Sequence, residues 1–285
     1  MRASTLSAAL IILGLTAATS QAQTFTIKPK DFPAAGKSIT ISDTSTVNFS
    51  FKLSTGGMDL KEEKKTEVEE KQFVQKTIEA GTKRPNKYSN TYTKATKGEQ
   101  GSPAKTSYSG KTIIFERKGD KYTVKPEEGE IDAKDLAEFT KQVNRPNTSE
   151  VFMPTKAVAV GDSWTLDKKA VEALGGPDDD GIDLSKFKGQ GKLLKAYKKG
   201  KEQWGTVEIA ITVPIKKLGP LPLDKAIDLN AKFTIDMAID GSTTAHSAKG
   251  TMSIKGKSEF TENGMTFMID LAIEGDIRME QSAEK

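Results

Sequence analysis

The sequence predicts an α+β protein that is mainly β, in which long curved antiparallel meander sheets form a partial barrel with one or two covering helices. Two observations carry this prediction. Apolar and polar residues alternate through several long segments, and glycine-containing dipeptides separate some of those segments. Successive side chains of a β-strand point to opposite faces, so the alternation predicts a sheet with one buried and one wet face. Because parallel sheets are covered on both faces, a wet face predicts antiparallel pairing.

Residues 232–241 show the alternation most clearly. The odd positions carry the apolar side chains Phe233, Ile235, Met237 and Ile239, and the even positions carry Thr234, Asp236, Ala238 and Asp240. The same rhythm recurs at residues 46–53, 206–215, 251–260 and 264–280. In the last of these segments, Phe267, Ile269 and Leu271 share the apolar side. A helix would spread these residues around its circumference.

The C-terminal third is typical of a meander. We expect strands near residues 229–240, 243–260 and 264–280, separated by Asp240-Gly241 and Asn263-Gly264. Both dipeptides favour tight hairpin turns because Gly and Asn accept positive φ.

The N-terminal half repeats the pattern less regularly. Strands are expected near residues 24–30, 38–42, 46–54, 86–95, 111–118 and 121–126. The sequence of residues 60–80 is compatible with both a strand and a helix. Their Glu and Lys content favours a helix, but their apolar residues form a poor helical stripe. We favour a strand. The composition of residues 96–110 predicts a loop.

Two segments predict helices. In residues 132–144, Asp132 is a candidate N-cap, and an apolar stripe follows helical spacing: Ile131, Leu136, Phe139 and Val143. A shorter helix is expected from Asp167 as its cap to Gly175 as its terminator.

The first 22 residues have the layout of a secretory signal peptide. Arg2 precedes an apolar run that ends in Ser20-Gln21-Ala22. The alternative, a membrane anchor, needs about 20 apolar residues, and this run is shorter. We therefore expect a bacterial protein that is exported to the periplasm or the extracellular space, with no transmembrane segment after cleavage. A β half over residues 23–175, containing helix 132–144, and a meander over 176–285 would form one continuous unit.

Composition argues against several classes of function. Basic and acidic side chains nearly balance, with a net charge of +4, so we expect no nucleic-acid partner. The chain has no cysteine and a single histidine, His246, which excludes cysteine catalysis and gives no support for a serine triad. The seven lysines of residues 186–201 could meet an anionic partner, but a solvated strand face is the favoured interpretation.

Metal and cofactor binding have little support in the sequence. No cofactor is expected, because no Gly-rich phosphate loop lies between a strand and a helix. The acidic residues Asp178, Asp180 and Asp183 form a weak calcium candidate, since they lack the spacing of an EF-hand loop.

One short segment, residues 151–167, carries a distinctive motif. Pro154 is followed by Val160-Gly161-Asp162 and Trp164, a P-x(5)-V-G-D-x-W pattern. The segment resembles one in an uncharacterised exported bacterial protein family. That family has no assigned activity, so the resemblance implies no functional residue. We expect Gly161-Asp162 to turn the chain into a strand whose Trp164 packs in the core.

A broad apolar sheet face needs a cover. The sheet can curl on itself, helix 132–144 can lie across it, or a lipid-like ligand can fill the remaining space. In the third case the architecture resembles the unclosed-barrel lipoprotein carriers of bacterial envelopes. The candidate ligand-facing residues are Phe233, Ile235, Met237, Phe267, Ile269 and Leu271. Two hypotheses follow: a non-catalytic carrier of a lipid or a lipidated envelope protein, or an envelope interaction module without ligand. An acid-based hydrolase ranks below both.

Overall fold

The computed structural model describes residues 23–174, 181–218, 221–262 and 264–285. The helices are α1 (Ala133–Val143), α2 (Thr148–Phe152) and α3 (Lys169–Ala173). The strands are β1 (Thr24–Phe25), β2 (Ser38–Thr55), β3 (Met58–Glu79), β4 (Lys87–Glu99), β5 (Ala104–Lys105), β6 (Thr112–Lys118), β7 (Lys121–Pro126), β8 (Val158–Ala159), β9 (Ser163–Thr165), β10 (Lys188–Lys199), β11 (Glu202–Leu218), β12 (Leu221–Ala238), β13 (His246–Glu262) and β14 (Met265–Gln281). The expected signal peptide, residues 1–22, lies outside the described residues. None of the described helices is long and apolar enough to cross a membrane.

Twelve strands form one sheet in the order β7-β6-β4-β3-β2-β14-β13-β12-β11-β10-β9, with β5 beside β4. Every pairing in this sheet is antiparallel. The sheet is open, because β7 and β9 stand at its two edges and pair with only one neighbour each. The predicted fold class, mainly antiparallel β with covering helices, is therefore confirmed.

The two halves of the chain meet where the first and last long strands pair. β14 runs beside β2 from Gln281↔Ile41 to Phe267↔Thr55 without a register shift. The N-terminal and C-terminal strands thus belong to one continuous sheet. The domain boundary at residues 175 and 176 lies outside the described residues and stays a prediction.

One N-terminal prediction changes in the structure, and another is confirmed. Residues 38–42 and 46–54 form the single strand β2. The polar segment between them is also part of this strand, because it pairs with β14 on one side and with β3 on the other. Thr44, for example, lies between Arg278 and Glu70. Residues 60–80 are the strand β3, as favoured. Its Lys and Glu side chains form ion pairs along the strand, such as Lys65 to Glu67 at 2.9 Å.

The strand predicted at residues 24–30 was wrong beyond Phe25. Residues 26–37, here called the strap, contain Pro29 and Pro33, which cannot donate to a β-ladder. The strap links the two halves instead. The Lys28 N–H donates to the Ile239 carbonyl, and the Gly36 N–H donates to the Thr77 carbonyl, each at 2.8 Å. The predicted loop at 96–110 also differs, since β4 extends into it and β5 lies within it.

One face of the sheet, here called the inner face, carries the residues of a single cross-strand row. Directly paired residues lie on the same face, and this row runs Met237, His246, Gln281, Ile41, Phe73 and Tyr92. Phe152 of α2 and Ala170 of α3 pack in the cluster that holds Met237, and Phe139 of α1 packs in the cluster that holds Tyr92. All three helices therefore cover the inner face.

The two predicted helices are confirmed, but one cap is not. The Asp132 side chain makes no capping hydrogen bond. Instead, the Ser107 hydroxyl accepts from the Asp132 N–H at 3.1 Å and donates to Asp135 at 2.5 Å. A loop residue therefore supplies hydrogen bonds at the start of α1. At α3, Asp167 Oδ1 accepts from the Lys169 N–H at 2.9 Å. Helix α2 was not predicted.

The V-G-D-x-W segment forms a turn between β8 and β9. Gly161 has φ +95°, and Asp162 Oδ2 accepts from the Ala159 N–H at 2.8 Å. The Trp164 ring is fixed because its Nε1–H donates to the Phe152 carbonyl at 2.7 Å. The ring lies over Gly191, where a Cβ would come within 2.2 Å of Trp164 Cε2. The expected packing role of Trp164 is what the structure shows.

We expect Gly191→Ala to lower the free energy of unfolding by about 1–3 kcal/mol, because the added methyl group displaces a tightly held ring. Urea denaturation followed by tryptophan fluorescence measures this loss. Gln190→Ala, on an exposed neighbour in the same strand, is the control and should change stability little. Equal stability of the two variants would show that the ring moves freely.

Candidate functional site

The six candidate ligand-facing residues lie in two protein-filled parts of the inner face. Phe233, Ile235 and Met237 belong to or pack against one core cluster with Phe152 and Ala170. A second cluster contains the other three: Ile269 and Leu271 are buried in it, and Phe267 packs against it. The Phe267 ring stacks on Phe260 with 5.0 Å between centroids. The structure does not bring the six residues together around one site.

A small cavity lies beneath α2, beside Ile235 and Met237. Its volume is about 80 Å³, and His246 and Met279 also line it. Burial lowers the pKa of His246, and its Nδ1 lies 3.1 Å from the Thr244 carbonyl. Burial therefore favours the neutral form of this histidine.

Of the three calcium candidates, only Asp183 belongs to the described residues. Its carboxylate pairs with Lys216 at 2.9 Å and accepts from the Ser185 hydroxyl at 2.5 Å. Those two hydrogen bonds lower the pKa of Asp183 to about 2. In the part of the chain that the structure describes, no group of three or more His, Asp or Glu residues is placed to hold a metal ion.

A larger opening, here called the aromatic cleft, lies in the N-terminal part of the inner face. It has a volume of about 280 Å³. Strands β2, β3, β4, β6 and β7, the strap, the β3–β4 connection at Arg84, and helix α1 contribute its walls. Its lining residues are Phe32, Asp43, Lys71, Phe73, Arg84, Tyr88, Asn90, Tyr92, Phe115, Tyr122, Phe139, Gln142 and Val143.

Strand alternation positions the aromatic walls. Tyr88 and Tyr92 of β4 point inward, where Tyr88 stacks on Phe115 of β6 with centroids 4.6 Å apart. Phe73 of β3 contacts Tyr92 at 4.9 Å, and Phe139 of α1 closes the far side at 5.7 Å from Tyr92. Because these rings hold one another, the cleft has rigid walls.

Polar atoms without a partner line the same cleft. Asn90 is 8% exposed, and its Oδ1 is buried without a hydrogen bond. Arg84 Nε is also buried and unpartnered, although the Val143 and Arg145 carbonyls hold the rest of its guanidinium, at 2.8 and 3.2 Å. Buried polar atoms in folded proteins nearly always have a partner. These two atoms therefore indicate that a polar molecule, water or ligand, completes the cleft.

Next to Asn90, the inner face holds two further unpartnered groups. Gln75 pairs with Asn90 across β3 and β4. The Gln75 Nε2 and the Thr77 Oγ1 are both buried and have no hydrogen-bond partner. Four unpartnered groups in one region contrast with the rest of the described chain, in which every other buried side-chain donor or acceptor is paired.

Two carboxylates and a lysine lie on the inner face at the cleft. Lys71 is opposite Asp43 in the β2–β3 register and pairs with Glu69 at 2.8 Å. Burial raises the pKa of Asp43, Lys71 opposes this shift, and Glu69 adds to it. Burial disfavours the charged form of Lys71 and by itself lowers its pKa. The charge of Glu69 and its hydrogen bond to Lys71 act in the opposite direction, and the net result is a raised pKa. The cluster therefore consists of two carboxylates that share one lysine.

Burial raises the pKa of both Tyr88 and Tyr92 above the ordinary tyrosine range. Both hydroxyls stay protonated at physiological pH and are available as neutral hydrogen-bonding groups. The cleft thus combines aromatic faces with neutral donors and acceptors.

Sequence reasoning missed the aromatic cleft. Its signal is present in residues 87–92, where Tyr88, Asn90 and Tyr92 alternate on one strand face. An asparagine between two aromatic residues on a buried face is a polar group that needs a partner. The segment was predicted as a strand, but the meaning of Asn90 depends on neighbours that are distant in sequence.

Comparison with protein-family models finds no match, and comparison with curated proteins finds none either. Among solved structures, one similar chain is the outer membrane protease OmpT from Escherichia coli. The two chains are 9% identical, with a TM-score of 0.24, and the match covers 88% of this chain and 97% of that chain. A likeness at this TM-score carries no argument about function.

We expect Asp43→Asn to stabilise the protein at pH 7 by about 1 kcal/mol, equivalent to roughly 2–4 °C in Tm for a chain of this size. The raised pKa of Asp43 means that ionisation costs folding free energy. This penalty is absent below the unfolded-state pKa and complete above the folded-state pKa. The Tm difference from the unmodified protein should therefore shrink as the pH falls towards 3.

Thermal unfolding monitored by circular dichroism at pH 3, 5 and 7 measures the difference. Asp120→Asn, at a fully exposed side chain, is the matched control. A lower Tm for Asp43→Asn at pH 7 would show that the carboxylate stabilises the fold in its ionised form.

Proposed function

We propose that this is an exported binding protein without catalytic activity, and that its ligand occupies the aromatic cleft. The observation that carries the proposal is the pair of unpartnered buried atoms, Asn90 Oδ1 and Arg84 Nε, in a cleft walled by aromatic rings. Ligand sites in proteins are largely apolar concavities with a few convergent polar groups. Export is part of the proposal and rests on the N-terminal sequence.

The cleft supports a compact ligand that contains a ring. Aromatic walls favour a planar group that stacks against them, and a volume of about 280 Å³ limits its size. The Asn90 oxygen needs a donor, and the Arg84 Nε–H needs an acceptor. A planar molecule with a hydroxyl group on one edge and an anionic group on another satisfies both needs.

The lipid carrier expected from the sequence has less support. Acyl chains need a long aliphatic channel, whereas the aliphatic residues of the inner face pack against α2, α3 and the strap. We therefore place the ligand in the aromatic cleft and not on the 229–280 strands.

The variant Asn90→Leu tests the proposal. It removes an unpartnered acceptor and keeps the side-chain volume, so we expect the free energy of unfolding to rise by about 1–2 kcal/mol. The same variant should weaken binding of 4-hydroxybenzoate, the probe that carries both required groups, at least tenfold. Isothermal titration calorimetry measures binding, and urea denaturation measures stability.

Thr91→Val, on the exposed face of the same strand, is the control and should leave binding unchanged. Decanoate serves as the acyl-chain probe and should bind more weakly than 4-hydroxybenzoate. A loss of stability in Asn90→Leu, or tighter binding of decanoate, would contradict the proposed site.

A further inference from the structure

Strand β10 presents an unpaired edge. On the side away from β11 it pairs with β9 over residues 190–192. The Leu193 backbone then bonds to Gly161 and Asp162, at 2.7 and 3.1 Å. From Lys195 to Lys199, no described strand pairs with β10 on that side, although the Gln203 side chain donates to the Tyr197 carbonyl at 2.9 Å. A free edge of this kind is a template for a further strand.

The lysines of this edge differ from those of β3. On β3, four lysines pair with glutamates: Lys61, Lys64, Lys65 and Lys71. β10 carries five lysines, at 188, 192, 195, 198 and 199. Within the described residues, none of these five forms an ion pair. The edge therefore carries five lysines that make no direct ion pair to any residue that the structure describes.

The acids opposite these lysines are engaged elsewhere. Glu208 faces Lys192 in the register but pairs with Lys232 at 2.8 Å. Glu202 faces Lys199 and accepts from the Trp204 Nε1–H at 2.8 Å. Lys199 lies over the Trp204 ring, with its Nζ 4.2 Å from the centroid. Lys192 and Lys199 are thus left without a direct ion pair to the acid opposite them.

A groove runs beside the edge on the outer face, which is the side opposite the inner face. Its volume is about 780 Å³. Val160, which is 50% exposed, and Tyr197, which is 38% exposed, give it apolar walls. Its carboxylate, Asp236, accepts from the Tyr197 hydroxyl at 2.7 Å and from the Thr206 hydroxyl at 3.0 Å, so it is already paired within the protein.

We propose that the edge of β10 binds an acidic peptide segment in extended conformation, which adds a strand to the sheet beside Lys195–Lys199. The free backbone groups supply the main-chain hydrogen bonds. Acidic side chains on one face of the added strand lie at the groove beside Lys195 and Lys199, which share the outer face, and the alternate side chains turn to the inner face. These are the parts of strand addition to a sheet edge. The site is separate from the aromatic cleft, and this proposal does not depend on the proposed function.

Charge and backbone together favour a peptide over other anionic partners. A membrane or a polyanionic glycan would use the lysines but leave the free N–H and C=O groups of the edge unpaired. Only an extended backbone satisfies both features. The partner is therefore a protein segment with alternating acidic and apolar residues.

The test is binding of acetyl-Glu-Val-Glu-Val-Glu-Val-amide to the protein, measured by calorimetry, with amide hydrogen exchange as the structural readout. We expect binding to slow exchange at the amides of residues 195–199. The double variant Lys195→Glu/Lys199→Glu, which changes the two lysines that face the groove side of the sheet, should weaken binding by about tenfold or more. Lys255→Glu/Lys257→Glu, which makes the same charge change at ion-paired lysines on the outer face of β13, should change it less than twofold.

Two controls separate the alternatives. The same peptide N-methylated at every residue keeps its charge but lacks backbone donors, and it should not bind. Equal binding of this peptide would overturn the proposal. Binding of phosphatidylglycerol vesicles or heparin without binding of the hexapeptide would overturn it as well. Asn90→Leu should leave peptide binding unchanged, which keeps this result independent of the cleft.

Discussion

The pairing of β14 with β2 is the constraint on which the molecule depends. It joins the last long strand to the first, so a chain of local hairpins becomes one sheet. Without it, the C-terminal meander and the N-terminal strands would each have a further free edge, and free edges are sites of aggregation. The strap reinforces the connection from Ile239 to Thr77 across the end of the sheet.

This one pairing also sets which residues share a face. Cross-strand partners lie on the same side of a sheet. The register therefore places Met237, Gln281, Ile41 and Tyr92 on the same inner face. The helices cover the two ends of this face, and each end has its own core. The C-terminal core is mainly aliphatic, whereas the N-terminal core is aromatic and contains the cleft.

The charged residues of β3 and β10 show how an interior strand differs from a strand near the edge of the sheet. β3 lies inside the sheet, and four of its five lysines pair with glutamates of the same strand. β10 lies near an edge, and its lysines have no such partners in the described chain. Lysine on an edge strand discourages pairing with another copy of the same chain. It permits pairing with a strand of opposite charge.

Alternation by itself determined the strands of the C-terminal meander and the antiparallel class, because period two is a local property of the chain. The tight turn expected at Asp240-Gly241 is instead a seven-residue connection, residues 239–245, between β12 and β13. Helix α1 was also predicted, from the helical spacing of Leu136, Phe139 and Val143. The aromatic cleft was not, because Tyr88, Phe115 and Phe139 come from three separate elements. The ion pair of Lys65 is local, since Glu67 is two residues away, but the unpaired state of Lys192 among the described residues is not, because the facing Glu208 pairs with Lys232 of another strand. Only the tertiary structure decided these features, because register and sheet order select the neighbours of each side chain.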